Sequence, residues 1–274
     1  THSLLDRHPT HVAVAVKVIN ALRTMKRSEQ PKVLYGCEMN MVYPHLNIVY
    51  NSTDDLLSEA EYVVFDLETT GLSKRYDRIT QFAAVKVVNG EVVDELDLLI
   101  NPEMPIPQAI QEKTRITQDM VNNQKPIGEV LPQIMDFIGD SILVAHNATF
   151  DIGFLNEARK REGLNPIDNP VIDTLPLSRY LFPEAAYHNL GSLCRNLGLS
   201  IYDEREAHRA NVDASVLWGC LREIIRRLLG NNPNMTHSDL SSLKSDNPNF
   251  YKHLWPTHTV VLAKNKGGLR SLFK

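Results

Sequence analysis

Residues 61–73 read EYVVFDLETTGLS. Val63, Val64 and Phe65 form an apolar run with the character of a buried strand, and the run drives straight into Asp66 and Glu68 before a turn at Gly71. On a strand, residues i and i+2 project to the same face, so both carboxylates point the same way from the strand end. Two like charges at close range repel, and burial raises the cost. A fold tolerates this when a cation sits between them, and hard divalent ions such as Mg2+ or Mn2+ take carboxylate oxygens as ligands. The ordinary alternative is a solvated turn, and the pair alone does not separate the two.

The following segments supply a sheet around that strand. ITQFAAVKVV and EVVDELDLLI are strand-like and are joined by Asn89-Gly90, a strong short hairpin signal. Pro102, Pro105 and Pro107 mark a loop followed by short helical pieces. EVLPQIMDFI reads as a helix, SILVAHN as a strand with a polar exit, and TFDIGFLNEARKR as a helix with Phe150, Phe154, Leu155 and Ala158 on one side. NPVIDT is a short strand, LPLSRYLF and NLGSLCRNL are helical, and 209–229 is a long helix with Val212, Val216, Leu217, Cys220, Leu221, Ile224 and Leu228 at helical spacing. A meander followed by strands alternating with helices predicts an α/β domain with a mixed sheet, with limits at 56 and 231. On the N-terminal side the sequence predicts a helix over 11–26, a short strand at 33–36, an edge segment at 44–51 and a polar linker. On the C-terminal side it predicts a polar loop from 231, a last strand in TVVLAKN and a basic tail.

Net charge bears on the class of partner. The 274 residues carry a formal charge of −4, which does not fit a protein that coats DNA, although a basic groove beside an acidic centre stays open. Cys37, Cys194 and Cys220 are far apart and form no CxxC, which reads as buried free thiols in a reducing compartment and points to the cytoplasm. No apolar run approaches the roughly 18 residues of a membrane span. HVAVAVKVINAL is interrupted by Lys17 and does not read as a signal peptide. The chain opens at Thr1 without Met, which suggests a processed chain or a piece of something longer.

Two further acids border apolar stripes. Asp151 lies in HNATFD, where a strand gives way to a helix, the place where open α/β sheets bind ligands. Thr149 and Asn147 compete as that helix's N-cap. A capping or surface role for Asp151 is the alternative. Asp213 lies in HRANVDASVLWG, beside Val212 and a turn before Val216 and Leu217. His208 precedes Asp213 by five residues, about 140° away on a helix, so it belongs to the loop ahead of the helix. A solvated loop histidine is the alternative there.

Taken together and in this order, FDLETTG, HNATFD and HRANVDA resemble the three exonuclease motifs of the DEDDh, DnaQ-like 3′→5′ exonuclease family, over roughly 60–230. The resemblance implies a ribonuclease H-like fold. It makes Asp66, Glu68, Asp151 and Asp213 the ligands of two Mg2+ or Mn2+ ions and His208 the general base that takes a proton from water. The product would be a nucleoside 5′-monophosphate from a 3′ end. Thr70, Leu72 and His146 are candidates for holding the terminal nucleotide and Phe154 for packing near its base; each also has a packing reading.

YVVFDLETTGLS, ILVAHNATFDIGFLN, NPVIDTLPLSR and HNLGSLC resemble the branch found in PolC-type bacterial replicative DNA polymerases, where the exonuclease is inserted in a PHP domain. The flanks KVLYGCEMNMV and PTHTVVLAKNKGGLRSLFK resemble PHP segments, giving 1–55 and 232–274 as partial PHP segments around a 56–231 exonuclease domain. His2, Glu38 and His258 resemble PHP metal-ligand positions, while Thr1 stands where Asp is common. Gln81 stands where the family often has Glu, and Arg115 stands in a turn that is often Thr-Gly-Ile-Thr. The implied partners are a single-stranded or frayed DNA 3′ end, the polymerase region of a longer parent chain and replisome subunits. An RNA-trimming exonuclease uses the same five residues, and a non-catalytic fragment for nucleic-acid binding or replicase assembly is the reading from another class.

Overall fold

The computed structural model describes residues 17, 20–26, 28, 36–41, 46–202, 209–244, 247, 250–254 and 257–272. The chain divides into two compact units, one formed by 44–254 and one by both ends, 1–43 with 255–274. In the second unit, β1 (Gly36–Met41) pairs antiparallel with β8 (Thr257–Leu262), and the stretch read as a basic tail carries a helix, Lys266–Leu272. Of the helix expected over 11–26, residues 20–24 are described and are helical; the strand expected at 33–36 lies outside the described residues except for Gly36.

The larger unit is built on one mixed sheet. Its strands are β2 (Val49–Tyr50), β3 (Tyr62–Thr69), β4 (Ile79–Val88), β5 (Glu91–Leu99), β6 (Ile142–Ala145) and β7 (Val171–Asp173), in the order β2-β7-β6-β3-β4-β5. β3, β4 and β5 form the antiparallel meander, and β6 and β7 add parallel to β3. Asn89 and Gly90 both take positive φ, 52° and 79°, the geometry of the hairpin turn that their sequence demands. Helices α1 (Gln108–Thr114), α2 (Gln118–Asn122) and α3 (Ile127–Ile138) fill the connection from β5 to β6. Then α4 (Ala148–Arg161) follows β6, α5 (Thr174–Leu181) and α6 (Leu190–Leu197) follow β7, and α7 (Ala210–Leu229) closes the domain.

β3 explains the layering. Val63, Phe65 and Leu67 face one core with α3 and α4; Tyr62 and Val64 face the other with α6 and α7. Each buried apolar side chain contributes roughly 1.5–3 kcal/mol, so the central strand is held from both faces. Asp66 and Glu68 continue the row of Tyr62 and Val64, on the α7 side.

The compact unit runs beyond the expected limits of 56 and 231. Leu46 and Ile48 on one side, and Met235, Leu240, Phe250 and Leu254 on the other, are buried in the α7-side core. The polar stretch after 231 is anchored by His237, which is fully buried. Its Nδ1 accepts from Thr53 N–H at 3.2 Å, so its Nε2 carries the proton and donates to the Val171 carbonyl at 3.1 Å. A polar texture looks like a linker, but a few anchoring contacts make it part of the fold.

Candidate active site

The acids converge at the end of β3. Asp66, Glu68 and Asp213 each bring a carboxylate oxygen within 4.8 Å of the others, a spacing that could hold a metal ion. Two come from the strand and the third from the first turn of α7, where the helix N-terminus favours a negative charge. Asp151 arrives from the first turn of α4, 3% exposed. Asn147, not Thr149, holds that helix's cap position, in the left-handed region at φ 79°.

Burial and mutual repulsion set the electrostatics of the cluster. Burial pushes Asp66 well above the ordinary carboxylate range, with Asp151, Glu68 and Asp213 adding repulsion and Lys113 opposing it. Burial pushes Glu68 up to about 8, with Asp213 adding and Lys113 opposing. Asp151 is also raised by burial and by the charges of Asp173 and Glu68, against hydrogen bonds from its own backbone and that of Leu67. Hard oxygen ligands in mutual repulsion are the donor set that a divalent cation relieves.

The expected substrate contacts separate on inspection. Leu72 is 83% exposed, an isolated apolar side chain beside the acids' strand. Thr70 is buried in the structure of its own loop: its N–H donates to the Arg78 carbonyl, and its hydroxyl accepts from Arg78 N–H and donates to Asp77. Gly71 makes room for this closure, since a Cβ there would lie 2.5 Å from the Asp77 carboxylate. Phe154 is core, 1% exposed and packed on Phe150 at 4.8 Å between ring centres, so the helix face that suggested it points inward. His146 uses both ring nitrogens inside the chain, on Thr174 Oγ1 at 2.9 Å and the His188 carbonyl at 2.7 Å, and burial holds its pKa down at about 4. His208 and His2 lie outside the described residues. Positions 38 and 258 stand two register steps apart, Glu38 opposite Val260 and His258 opposite Asn40.

Three features were invisible in the sequence. Lys113, near the end of α1, is the cation whose field reaches Asp66 and Glu68; no motif or spacing announces it. Basic side chains also tie the loop after Leu72 to α4: Lys74 Nζ donates to the Thr149 carbonyl at 2.5 Å, and Arg161 donates to the carbonyls of Lys74 and Arg75. The thiols Cys194 and Cys220, remote in sequence, lie 3.1 Å apart, buried and free.

Comparison with known proteins agrees with this geometry. The family model described as Exonuclease matches residues 63–220, and the chain belongs to that exonuclease family. Its mixed sheet with flanking helices is the ribonuclease H-like fold of nucleases. The chain is similar to the PolC-type DNA polymerase III of Latilactobacillus sakei subsp. sakei (strain 23K), 42% identical over 243 residues that make up 89% of this chain and 16% of the relative. It is also similar to that of Bacillus subtilis (strain 168), 40% identical over 244 residues, 89% of this chain and 17% of the relative. The chain therefore spans about a sixth of these relatives' length. Among solved structures it resembles Exonuclease X in complex with 5′ overhanging duplex DNA, with a TM-score of 0.51 and 26% identity over 66% of this chain and 98% of that one. The fold is also that of E. coli Exonuclease I in complex with a dT13 oligonucleotide, with a TM-score of 0.55, 18% identity and coverage of 63% and 43%. Among the described residues, no helix is long and apolar enough to cross a membrane.

Proposed function

We propose that the 44–254 unit is a 3′→5′ DNA exonuclease that releases nucleoside 5′-monophosphates, the proofreading part of a PolC-type replicative polymerase of the bacterial cytoplasm. The observation that carries this is the convergence of Asp66, Glu68 and Asp213 within 4.8 Å, with Asp151 repelling Asp66 from the first turn of α4. These four carboxylates would hold two Mg2+ or Mn2+ ions. When bound, such a pair supplies charge that activates water and steadies the leaving 3′ oxygen. The chain's own work is to bring the ligands together, to exclude water on the core side and to place the strand end. Leu72, exposed beside the cluster, suits contact with the terminal nucleotide. His208 keeps the role of general base on its sequence position ahead of Asp213; a histidine near its ordinary pKa accepts a proton at neutral pH.

The terminal segments are read as halves of a PHP domain interrupted by the exonuclease. The pairing of β1 with β8, from opposite ends of the chain, supports that arrangement. The polymerase region and other replisome subunits are the partners it implies. The test is release of mononucleotides from labelled DNA and RNA strands of matched sequence, with Mg2+, with Mn2+ and with chelator. Metal-dependent shortening of DNA from its 3′ end supports the reading. Preference for RNA makes the domain an RNA-trimming enzyme, and no shortening of either makes it a binding or assembly module.

A further inference from the structure

The loop between β3 and β4 is a closed ring. At its base Thr70 N–H donates to the Arg78 carbonyl at 2.8 Å, and inside it the Asp77 carboxylate accepts from Ser73 N–H at 2.7 Å. Leu72 stands on this ring with 83% of its surface exposed, so packing of its own side chain does not locate it. Its place is set by what holds the backbone of the ring, and that is α4. The Lys74 ammonium donates to the Thr149 carbonyl at 2.5 Å. Arg161 Nη2 donates to the carbonyls of Lys74 at 3.1 Å and of Arg75 at 3.0 Å. The end of the Lys74 side chain lies on Gly153, where a Cβ would stand 2.5 Å from its Cδ and Nζ and 2.6 Å from its Cε.

Gly153 lies in the interior of α4, where glycine is the poorer choice against alanine because more backbone freedom is lost on folding. Its missing Cβ is the room that Lys74 occupies. Thr149 and Gly153 are four residues apart and share one side of the helix. Asp151, two residues from each, points about 200° away at about 100° per residue. Lys74 therefore grips the back of the turn whose front carries Asp151. The helix itself is held by Phe154 and Leu155 in the core. It is the fixed support, and the ring is what these contacts position.

We infer that Lys74, Gly153 and Arg161 form a clamp that fixes the ring on α4, and that they are positioning residues which hold Leu72 where it meets the terminal nucleotide. The inference rests on the nuclease reading and on the strand contact of Leu72, and it supplies the reason why an exposed side chain keeps one place. A ring released from the clamp presents Leu72 correctly for only a fraction of the time, and apparent affinity falls by that fraction.

The experiment uses the whole chain, with KM and kcat measured on a labelled single-stranded oligothymidylate in Mg2+ and amide hydrogen exchange of residues 70–78 measured in chelator. Gly153→Ala puts a methyl group where Lys74 lies. The displaced atoms are the end of a flexible side chain and alanine is the better helix former, so the variant is expected to melt no lower than wild type. It is expected to exchange faster over 70–78 and to raise KM about 5-fold, as a ring docked about a fifth of the time would, with kcat within about twofold. Lys74→Met and Arg161→Met are expected to act in the same direction. Gly153→Ala with Lys74→Met is expected to raise KM no further than either alone, since both remove one contact. In a Leu72→Ser background, Gly153→Ala is expected to leave KM where Leu72→Ser put it. Wild-type KM or wild-type exchange in Gly153→Ala overturns the clamp and leaves the nuclease reading standing. A rise in KM with Lys74→Met but not with Gly153→Ala makes the ammonium a direct strand contact, and the positioning role is wrong. A fall in kcat with KM unchanged moves the effect from Leu72 to Asp151 and overturns the assignment. A wild type that melts normally and leaves the strand intact overturns the nuclease reading and this inference together.

Discussion

Two clusters of buried and half-buried polar groups sit at the ends of neighbouring strands of one sheet and are built on opposite principles. At the end of β3, Asp66, Glu68 and Asp213 crowd together, with burial and mutual repulsion raising Asp66 and Glu68. At the ends of β6 and β7, His146, Ser178 and Asp173 each find partners in the chain. His146 bridges Thr174 and the His188 carbonyl, and Ser178 Oγ meets His188 Nδ1 at 3.1 Å. Asp173 Oδ1 accepts from the N–H groups of Asn147 and Leu175, both at 3.0 Å. Asp173 and Asp151 are equally buried carboxylates at 3% exposure. Asp173 is a helix cap that joins two strand ends, while Asp151 accepts hydrogen bonds from its own backbone and from that of Leu67 and stands within reach of the charges of Asp66 and Glu68. Burial alone does not distinguish the two; the like charges gathered around Asp151 do.

The largest test removes a member of the incomplete cluster. Asp66→Ala should lower nuclease turnover by more than about 10²-fold, since even outer partners of metal ligands cost 10–100-fold. Its melting temperature in chelator should hold or rise, because like-charge repulsion is relieved. A variant that melts as wild type does and cleaves at the wild-type rate removes Asp66 from the site.

The second test is pH. Glu68 holds its proton to about pH 8 in the fold and to about 4.5 when unfolded, so the native state binds more protons in that window and stability falls as pH rises through it. His146 acts in the reverse sense lower down: held neutral to about 4 against 6.5 unfolded, it loses stability as pH falls from 6.5. Between pH 6.5 and 8 only the acids' slope remains of these two. Denaturant titration in chelator should show a loss over that interval to which Glu68 contributes about 2 kcal/mol, at ~1.4 kcal/mol per unit, with Asp66 and Asp151, also raised, adding in the same sense. Glu68→Gln should lessen the slope, and a slope unchanged in that variant assigns it to other groups.

Breaking the complete cluster should give the opposite pattern. Thr174→Val leaves His146 Nδ1 without its hydroxyl partner and should cost about 1–2 kcal/mol of stability. Turnover per folded molecule should stay within about threefold, the factor that ~0.7 kcal/mol on the barrier would produce. A collapse of turnover with normal melting would place His146 in the chemistry.

The smallest effect is expected at Leu72. Leu72→Ser should change stability by under about 0.5 kcal/mol, as exposed sites do, while KM for the strand rises a few-fold. A fall in melting temperature with KM unchanged would make Leu72 a packing residue and leave no strand contact there.

Much of this arrangement was legible before any coordinates. Asp66 and Glu68 were readable because a strand's two-residue period puts them on one face. Asn89-Gly90 was readable because few residues accept two successive positive φ angles. The side of α4 carrying Phe154 and Leu155 was readable from its spacing, and the core holds Phe154 as that spacing expects, against the base contact that the resemblance suggested. That the compact unit extends past 56 and 231 was not legible, because Leu46, Ile48, Met235 and Leu240 are single apolar residues in polar surroundings, and one side chain carries no period.

The sequence by itself determined the local grammar: which strand carries two carboxylates on one face, where the hairpin turns, and which helix stripes are apolar. Those depend on backbone periods and on the chemistry of neighbours a few residues apart. Only the tertiary structure decided that Asp213 meets Asp66 and Glu68, that the charge of Lys113 reaches them, that Asp173 caps a helix where Asp151 stands among like charges, and that His146 is committed to the chain. Repulsion, desolvation and hydrogen bonding depend on distance through the fold and on the exclusion of water, and neither is a function of separation along the chain.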